Sequence, residues 1–156
     1  MLMNPRKILC ASHGTDGARV AEEAALALCG KGCLFHHLMV VPDLWKGMMG
    51  DDWLNNAATR DRYGKYLEGQ LNREVAAVVD RLGESVQRRA AEFSFETRLG
   101  KPADCLLAAC LREQPDLVII GSPRPKGMPG LRSRMEMETL VRGLSAPLLV
   151  IPYPTV

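Results

Sequence analysis

Apolar residues along the chain gather into short runs that alternate with stretches of helical spacing. Lys7-Ile8-Leu9-Cys10-Ala11-Ser12 leads into His13-Gly14-Thr15-Asp16-Gly17, which predicts a buried strand and a turn. Val20, Ala24 and Leu28 share one face of a helix predicted from about Ala18 to Leu28, which Gly30 and Gly32 end. Cys33 to Val41 predicts a second strand, closed by Pro42. Residues 43–66 break the rhythm with Trp45, Met48, Met49, Trp53 and Tyr63 among glycines, and read as an irregular insertion. Leu67, Leu71, Val75, Val78, Leu82 and Val86 then predict a long helix. Phe93, Phe95 and Thr97 alternate with polar positions, as an edge strand does. Lys101-Pro102-Ala103-Asp104 opens a further helix, with Leu106, Leu107, Cys110 and Leu111 as its apolar stripe. Asp116 to Gly121 is the clearest buried strand. A helix with Met137, Leu140, Val141 and Leu144 facing inward and a last strand over Pro147 to Ile151 complete the pattern.

Five strands alternating with four helices predict one α/β domain over residues 1–156. Right-handed crossovers make its sheet parallel, with helices on both faces. The expected strand order is 3-2-1-4-5, the open Rossmann-like arrangement. In such sheets the ligand crevice lies at the carboxyl ends of the strands where the winding direction reverses. Here that crevice is expected between residues 13–17 and 121–134.

Composition narrows the function. The chain has 156 residues, 47% hydrophobic and 24% charged, which excludes disordered and collagen-like classes. Twenty basic against 18 acidic residues give a net charge of +2, so nucleic acid and anionic membrane are not expected partners. No apolar run reaches the length of a membrane span. Met1-Leu2-Met3-Asn4-Pro5-Arg6-Lys7 is basic where a secretory leader turns apolar, so a cytoplasmic location is expected. The odd set Cys10, Cys29, Cys33, Cys105 and Cys110 reads as reduced thiols. Cys29 and Cys33 with His36 and His37 lack the second close cysteine pair of a zinc site, so no metal is expected.

The charge is uneven, however. Arg124, Lys126, Arg132 and Arg134 fall within Gly121–Arg134 with no acidic residue among them, at one wall of the expected crevice. That loop is either a solvated basic turn or an anion-binding surface. None of the three Gly-Lys pairs is followed by Ser or Thr, which excludes a Walker loop. Gly14-x-x-Gly17 is only half of a dinucleotide fingerprint. Gly-x-Ser-x-Gly is absent, and Ser12, Ser122 and Ser133 have no activating base signalled nearby. His13 as a base toward Ser122 is the one catalytic pairing available, and a turn histidine without chemistry is the expectation.

Several strings in order resemble the universal stress protein family. They are Lys7-Ile8-Leu9-Cys10-Ala11 with Gly14-Thr15, then Val40-Val41-Pro42, then Gly100-Lys101-Pro102-Ala103-Asp104. Pro115 to Ser122 and Ala146 to Ile151 complete the set. The resemblance covers nearly the whole chain apart from residues 43–66. It implies a stress-response regulatory protein, and a crevice formed by His13, Gly14, Thr15, Val41, Gly121, Ser122, Arg124, Arg134 and Met135. Nucleotide-binding relatives carry an Asp after the first strand and Gly-x2-Gly-x9-Gly-[Ser/Thr] after the fourth. Counted from Gly121, those positions hold His13, Arg124, Arg134 and Met135 here. Arg124 places a side chain where backbone should approach phosphate, and Met135 removes a hydroxyl donor. The resemblance therefore implies loss of the standard ATP site, no cofactor and no enzymatic chemistry. The alternative is a sensor of ATP, another nucleotide or another phosphate ligand, held by the charge of Arg124 and Arg134.

The last strand, Leu148 to Ile151, falls at a sheet edge in this order. An apolar open edge invites pairing, and family members look like two-fold dimers joined there, so a homodimer is expected. Trp45 and Trp53 in the 43–66 insertion offer a surface for a protein partner. The competing expectation is that they fold back over the crevice or cap the core.

Overall fold

The computed structural model describes residues 4–12, 16–41, 73, 75–122 and 135–152. Strand β1 (Lys7–Ser12) leads to helix α1 (Asp16–Leu28) and strand β2 (Leu34–Val41). Helix α2 (75–88) precedes strand β3 (Glu92–Leu99). Helix α3 (Pro102–Glu113), strand β4 (Leu117–Gly121), helix α4 (Met137–Gly143) and strand β5 (Leu148–Ile151) follow. The strands form one parallel sheet, as the alternating pattern predicts, in the expected order β3-β2-β1-β4-β5. The expected edge positions of β3 and β5 are both found.

The central strands read as unbroken apolar runs because both of their faces are covered. On one face Ile8, Cys10, Phe35, Leu117 and Ile119 pack against Ala21, Ala25 and Cys29, and against Leu82 and Val86 of α2. On the other, Leu9, Leu38, Val40, Val118 and Ile120 meet Ala103, Leu106, Ala109 and Cys110 of α3 and Leu140 of α4. Residues two apart along a strand share a face, which divides the runs between the two cores.

Three helix faces differ from the sequence expectation. In α1 the fully buried line is Ala21 and Ala25, continued by Cys29 just past its end, while Val20, Ala24 and Leu28 are only partly covered. Small alanines let the helix axis approach the sheet, and the larger residues flank the contact. In α3 the buried line is Ala103, Leu106 and Cys110, and Leu111 is 76% exposed. In α4 Leu140 is buried and Val141 is 59% exposed. Neighbouring residues on a helix lie about 100° apart, so an apolar neighbour of a buried position faces water without breaking the spacing rule. Leu67 and Leu71 lie outside the described residues.

Two local devices shape the sheet, one at its centre and one at its β3 edge. The Asp116 carboxylate accepts hydrogen bonds from the backbone N–H groups of Arg6 (2.8 Å) and Lys7 (3.1 Å), fastening the start of β1 beside β4. Gly100 turns the chain from β3 into α3 at φ +143°, a conformation that side-chain-bearing residues rarely adopt. Pro102 then opens α3 at a position where its missing N–H costs nothing.

Candidate ligand crevice at the ends of β1 and β4

The sheet order makes β1 and β4 neighbours while their outgoing connections run to opposite sides. This is the switch point at which doubly wound sheets bind ligands. Cys10 pairs with Ile119, and that register puts Ser12 level with Gly121. The ladder continues past β4, where the Ser122 N–H donates to the Ile151 carbonyl at 2.8 Å. Of the residues expected to line the crevice, Gly121 ends β4, Ser122 follows it, and Val41 ends β2. Met135 stands half-buried just before α4, packed against the core of the second face. The structure thus brings Gly121 and Ser122 to the end of β1. His13, Gly14, Thr15, Arg124 and Arg134 lie outside the described residues, as do Ser133 and residues 43–66.

The principal feature that the sequence pattern does not reveal is a buried polar chain running inward from Ser12. Ser12 Oγ lies 3.0 Å from His37 Nε2, and the same nitrogen lies 3.1 Å from Glu22 Oε1. Arg81 of α2 donates to the other Glu22 oxygen at 2.6 Å. The His37 ring is fully buried and stacks near-parallel to Phe35 and Phe95. Burial alone would raise the Glu22 pKa, but hydrogen bonds and charge from His37 and Arg81 outweigh it and hold the carboxyl below its ordinary value. The sequence signal was the presence of polar residues on faces otherwise apolar: Glu22 between Ala21 and Ala25, and His37 within an apolar strand.

This chain of contacts does not build a hydrolytic triad. Such a triad uses the two imidazole nitrogens separately, one toward the nucleophile and one toward the carboxylate. Here Ser12 and Glu22 share Nε2, and Ser12 is 1% exposed. The His13–Ser122 pairing is outside what the structure describes.

His36 points to the other face, where Nδ1 lies 2.5 Å from Ser94 Oγ. Its nitrogens face Glu96 (3.7 Å) and Glu113 (3.8 Å), and Arg112 bridges both carboxylates. The five cysteines are free thiols. Desolvation, with a smaller contribution from its contact with Cys33, pushes the Cys29 thiol up to about 12. Burial likewise raises Cys110 to about 11. Thiols so shifted carry almost no thiolate at neutral pH and behave as packing groups. Among the described residues no three His, Cys, Asp or Glu side chains converge to hold a metal ion. None of the described helices is long and apolar enough to cross a membrane.

A five-stranded parallel sheet of this order, with its crevice between β1 and β4, defines a doubly wound α/β protein. Solved structures give the class its name: the chain has the universal stress protein fold. It is similar to universal stress protein UspA from Lactobacillus plantarum, with a TM-score of 0.69, 17% identity, and 95% of this chain and 98% of that one covered. A universal stress protein family protein from Burkholderia pseudomallei aligns at 0.63 and 22% identity, over 94% of this chain and 96% of the other. A universal stress protein family protein from Arabidopsis thaliana with AMP bound aligns at 0.59 and 15% identity, over 97% and 94% respectively. No family model and no curated protein sequence matches the chain. The resemblance read from the short strings is thus met at the level of the fold.

Proposed function

We propose that the chain is a dimeric regulatory protein of the universal stress protein type, acting through protein partners without catalysis and without the standard ATP site. The observation that carries this reading is the contrast between the two sheet edges. β5 is a four-residue strand, Leu148–Ile151, whose side chains are all apolar and only partly covered, with Leu149 37% exposed. β3, the other edge, carries Glu92, Glu96 and Arg98, charges of the kind that keep an edge from pairing. Two β5 strands meeting about a two-fold axis would cover the apolar edge, and Pro152 limits the ladder to one such contact. Met135, in the position where relatives would offer a hydroxyl, supports loss of the ordinary nucleotide contacts. Five free thiols suit a reducing cytoplasm. Residues 43–66, with Trp45 and Trp53, are the proposed surface for a protein partner.

Light scattering at micromolar concentration is expected to give twice the chain mass of 17.2 kDa. Leu149→Lys, which sets like charges near the two-fold axis, is expected to give the single-chain mass. A wild-type monomer would overturn the dimer.

A second reading is favoured by the switch-point crevice together with the AMP-bound relative. In it the basic residues Arg124 and Arg134 meet a phosphate by side-chain charge in place of backbone contacts. Titration with ATP, ADP, AMP and cyclic dinucleotides is then expected to give heat and a thermal shift with at least one of them. Neither signal with any of them would end this reading.

A further inference from the structure

The two neighbouring histidines of β2 differ in how their rings are used. His37 turns one nitrogen to both of its partners, whereas His36 faces a hydroxyl with one nitrogen and a carboxylate with the other. Ser94 Oγ lies 2.5 Å from His36 Nδ1, and Glu96 Oε2 lies 3.7 Å from Nε2. That division is the one by which a histidine activates a serine. Nε2 is buried without a hydrogen-bond partner. The carboxylate it faces favours a proton there, which leaves the Nδ1 lone pair for the Ser94 hydroxyl proton. Glu113 stands 3.8 Å from Nδ1, so an imidazolium at this place faces two carboxylates. Arg112 pairs with both of them, Lys7 with Glu113 and Arg98 with Glu96, which holds the acids around the ring.

The fold supplies access. His36 and Ser94 are directly opposite in the β2–β3 ladder, so their side chains rise on one face. The His36 side chain is 6% exposed, while Ser94 is only half-buried and sits on an edge strand. Backbone N–H groups alternate in direction along a strand. With the Glu92 N–H turned to Cys33, that of Phe95, the residue after Ser94, points away from β2, on the side where no described strand follows. A donor so placed suits an oxyanion formed on a group bound to Ser94.

We propose that Ser94 is a covalent acyl-acceptor site, with His36 as its base and Glu96 as the positioning residue of that base, and that its donor is an activated acyl thioester or ester. Ser94 Oγ bonds to the acyl carbon while its proton passes to His36 Nδ1. The bond from that carbon to the leaving sulfur or oxygen then breaks, and the proton goes from Nδ1 to the departing thiol or alcohol. The product is a serine ester, one per chain, with no electrons gained or lost. A stoichiometric modification of this kind stands beside the non-catalytic reading above and needs no ligand in the crevice.

Reaction of the full chain with p-nitrophenyl acetate tests it. One equivalent of nitrophenolate per chain is expected, with the acetyl group found on Ser94 by peptide mass mapping. Ser94→Ala is expected to abolish that label, and His36→Gln to slow it about a hundredfold. Glu96→Gln is expected to slow it less, and Glu96→Asp to recover part of the rate, which a merely structural carboxylate would not do. Wild type unfolded in urea is expected to label Ser94 no faster than its other serines. Folded wild type that labels Ser94 no faster than the unfolded chain overturns the proposal. An unchanged rate in His36→Gln, with circular dichroism showing the fold kept, overturns the base, and an unchanged rate in Glu96→Gln overturns the positioning role. Continued release after the first equivalent supports the site and overturns the non-catalytic reading instead.

Discussion

Phe35→Ala is expected to lower the unfolding free energy by about 3–5 kcal/mol, the largest effect of any single truncation considered. Phe35 is fully buried in β2, next to the centre of the sheet. Its ring packs in the core with Ile8, Ala25 and Leu82, stacks near-parallel to His37 at 6.4 Å and tilts against Phe93 at 6.0 Å. Truncation removes transfer energy and leaves a cavity bounded by strands that pair on both sides and cannot collapse inward. It also takes away one of the two rings that hold the His37 imidazole. For a chain of this length the loss corresponds to a fall in Tm of roughly 6–20 °C. Urea unfolding measures it directly. A loss under about 1 kcal/mol would mean that the aromatic cluster of β2 and β3 is not packed as described.

Glu22→Ala is expected to cost about 3 kcal/mol, because removing one partner of a buried charged cluster strands the others. His37 Nε2 would be left with Ser12 alone, and Arg81, which is one-third exposed, would turn to water. Acid dependence gives a second signature. The folded Glu22 carboxyl lies below its ordinary value of 4.5, so its contribution is present above that pH. It is lost as pH falls below 4.5 through the lower folded value. The unfolding free energy of the wild type is therefore expected to fall in that window, and the slope to flatten in Glu22→Gln, which has no proton to take up. Parallel acid slopes in the two proteins would show that Glu22 is not the group responsible.

How much of this was legible beforehand depends on how local each cause is. Val118, Ile119 and Ile120 announce a buried strand because both neighbours of every residue are apolar, and that needs no partner to be known. That the sheet is parallel follows from alternation and crossover handedness in the same way, whereas the order β3-β2-β1-β4-β5 is one of the arrangements these rules allow. Helix faces were less secure. Leu111 and Val141 sit beside truly buried residues, and apolar spacing alone does not say where a stripe ends. The cluster at the end of β1 was the least legible part. Glu22, His37 and Arg81 are polar residues whose partners lie 15 and 59 positions away in sequence, and only the pairing of β1 with β2 and the packing of α1 beside α2 bring them together. Ser12 stood in view at the end of a strand, with its partner His37 25 residues further on.

The central seam of the sheet also sets an order of events during synthesis. β1 meets β4 only when Leu117 reaches Ile8, and Asp116 closes on the backbone of Arg6 and Lys7 across more than a hundred residues. Until then a growing chain holds β1, β2 and β3 with β1 as a bare rim, a topology of distant pairings that assembles slowly. Truncated products ending before residue 117 keep that rim open and are expected to stick to one another. Only a polypeptide that has passed β4 has the cleft between its first and fourth strands, so whatever docks there distinguishes such molecules from shorter fragments.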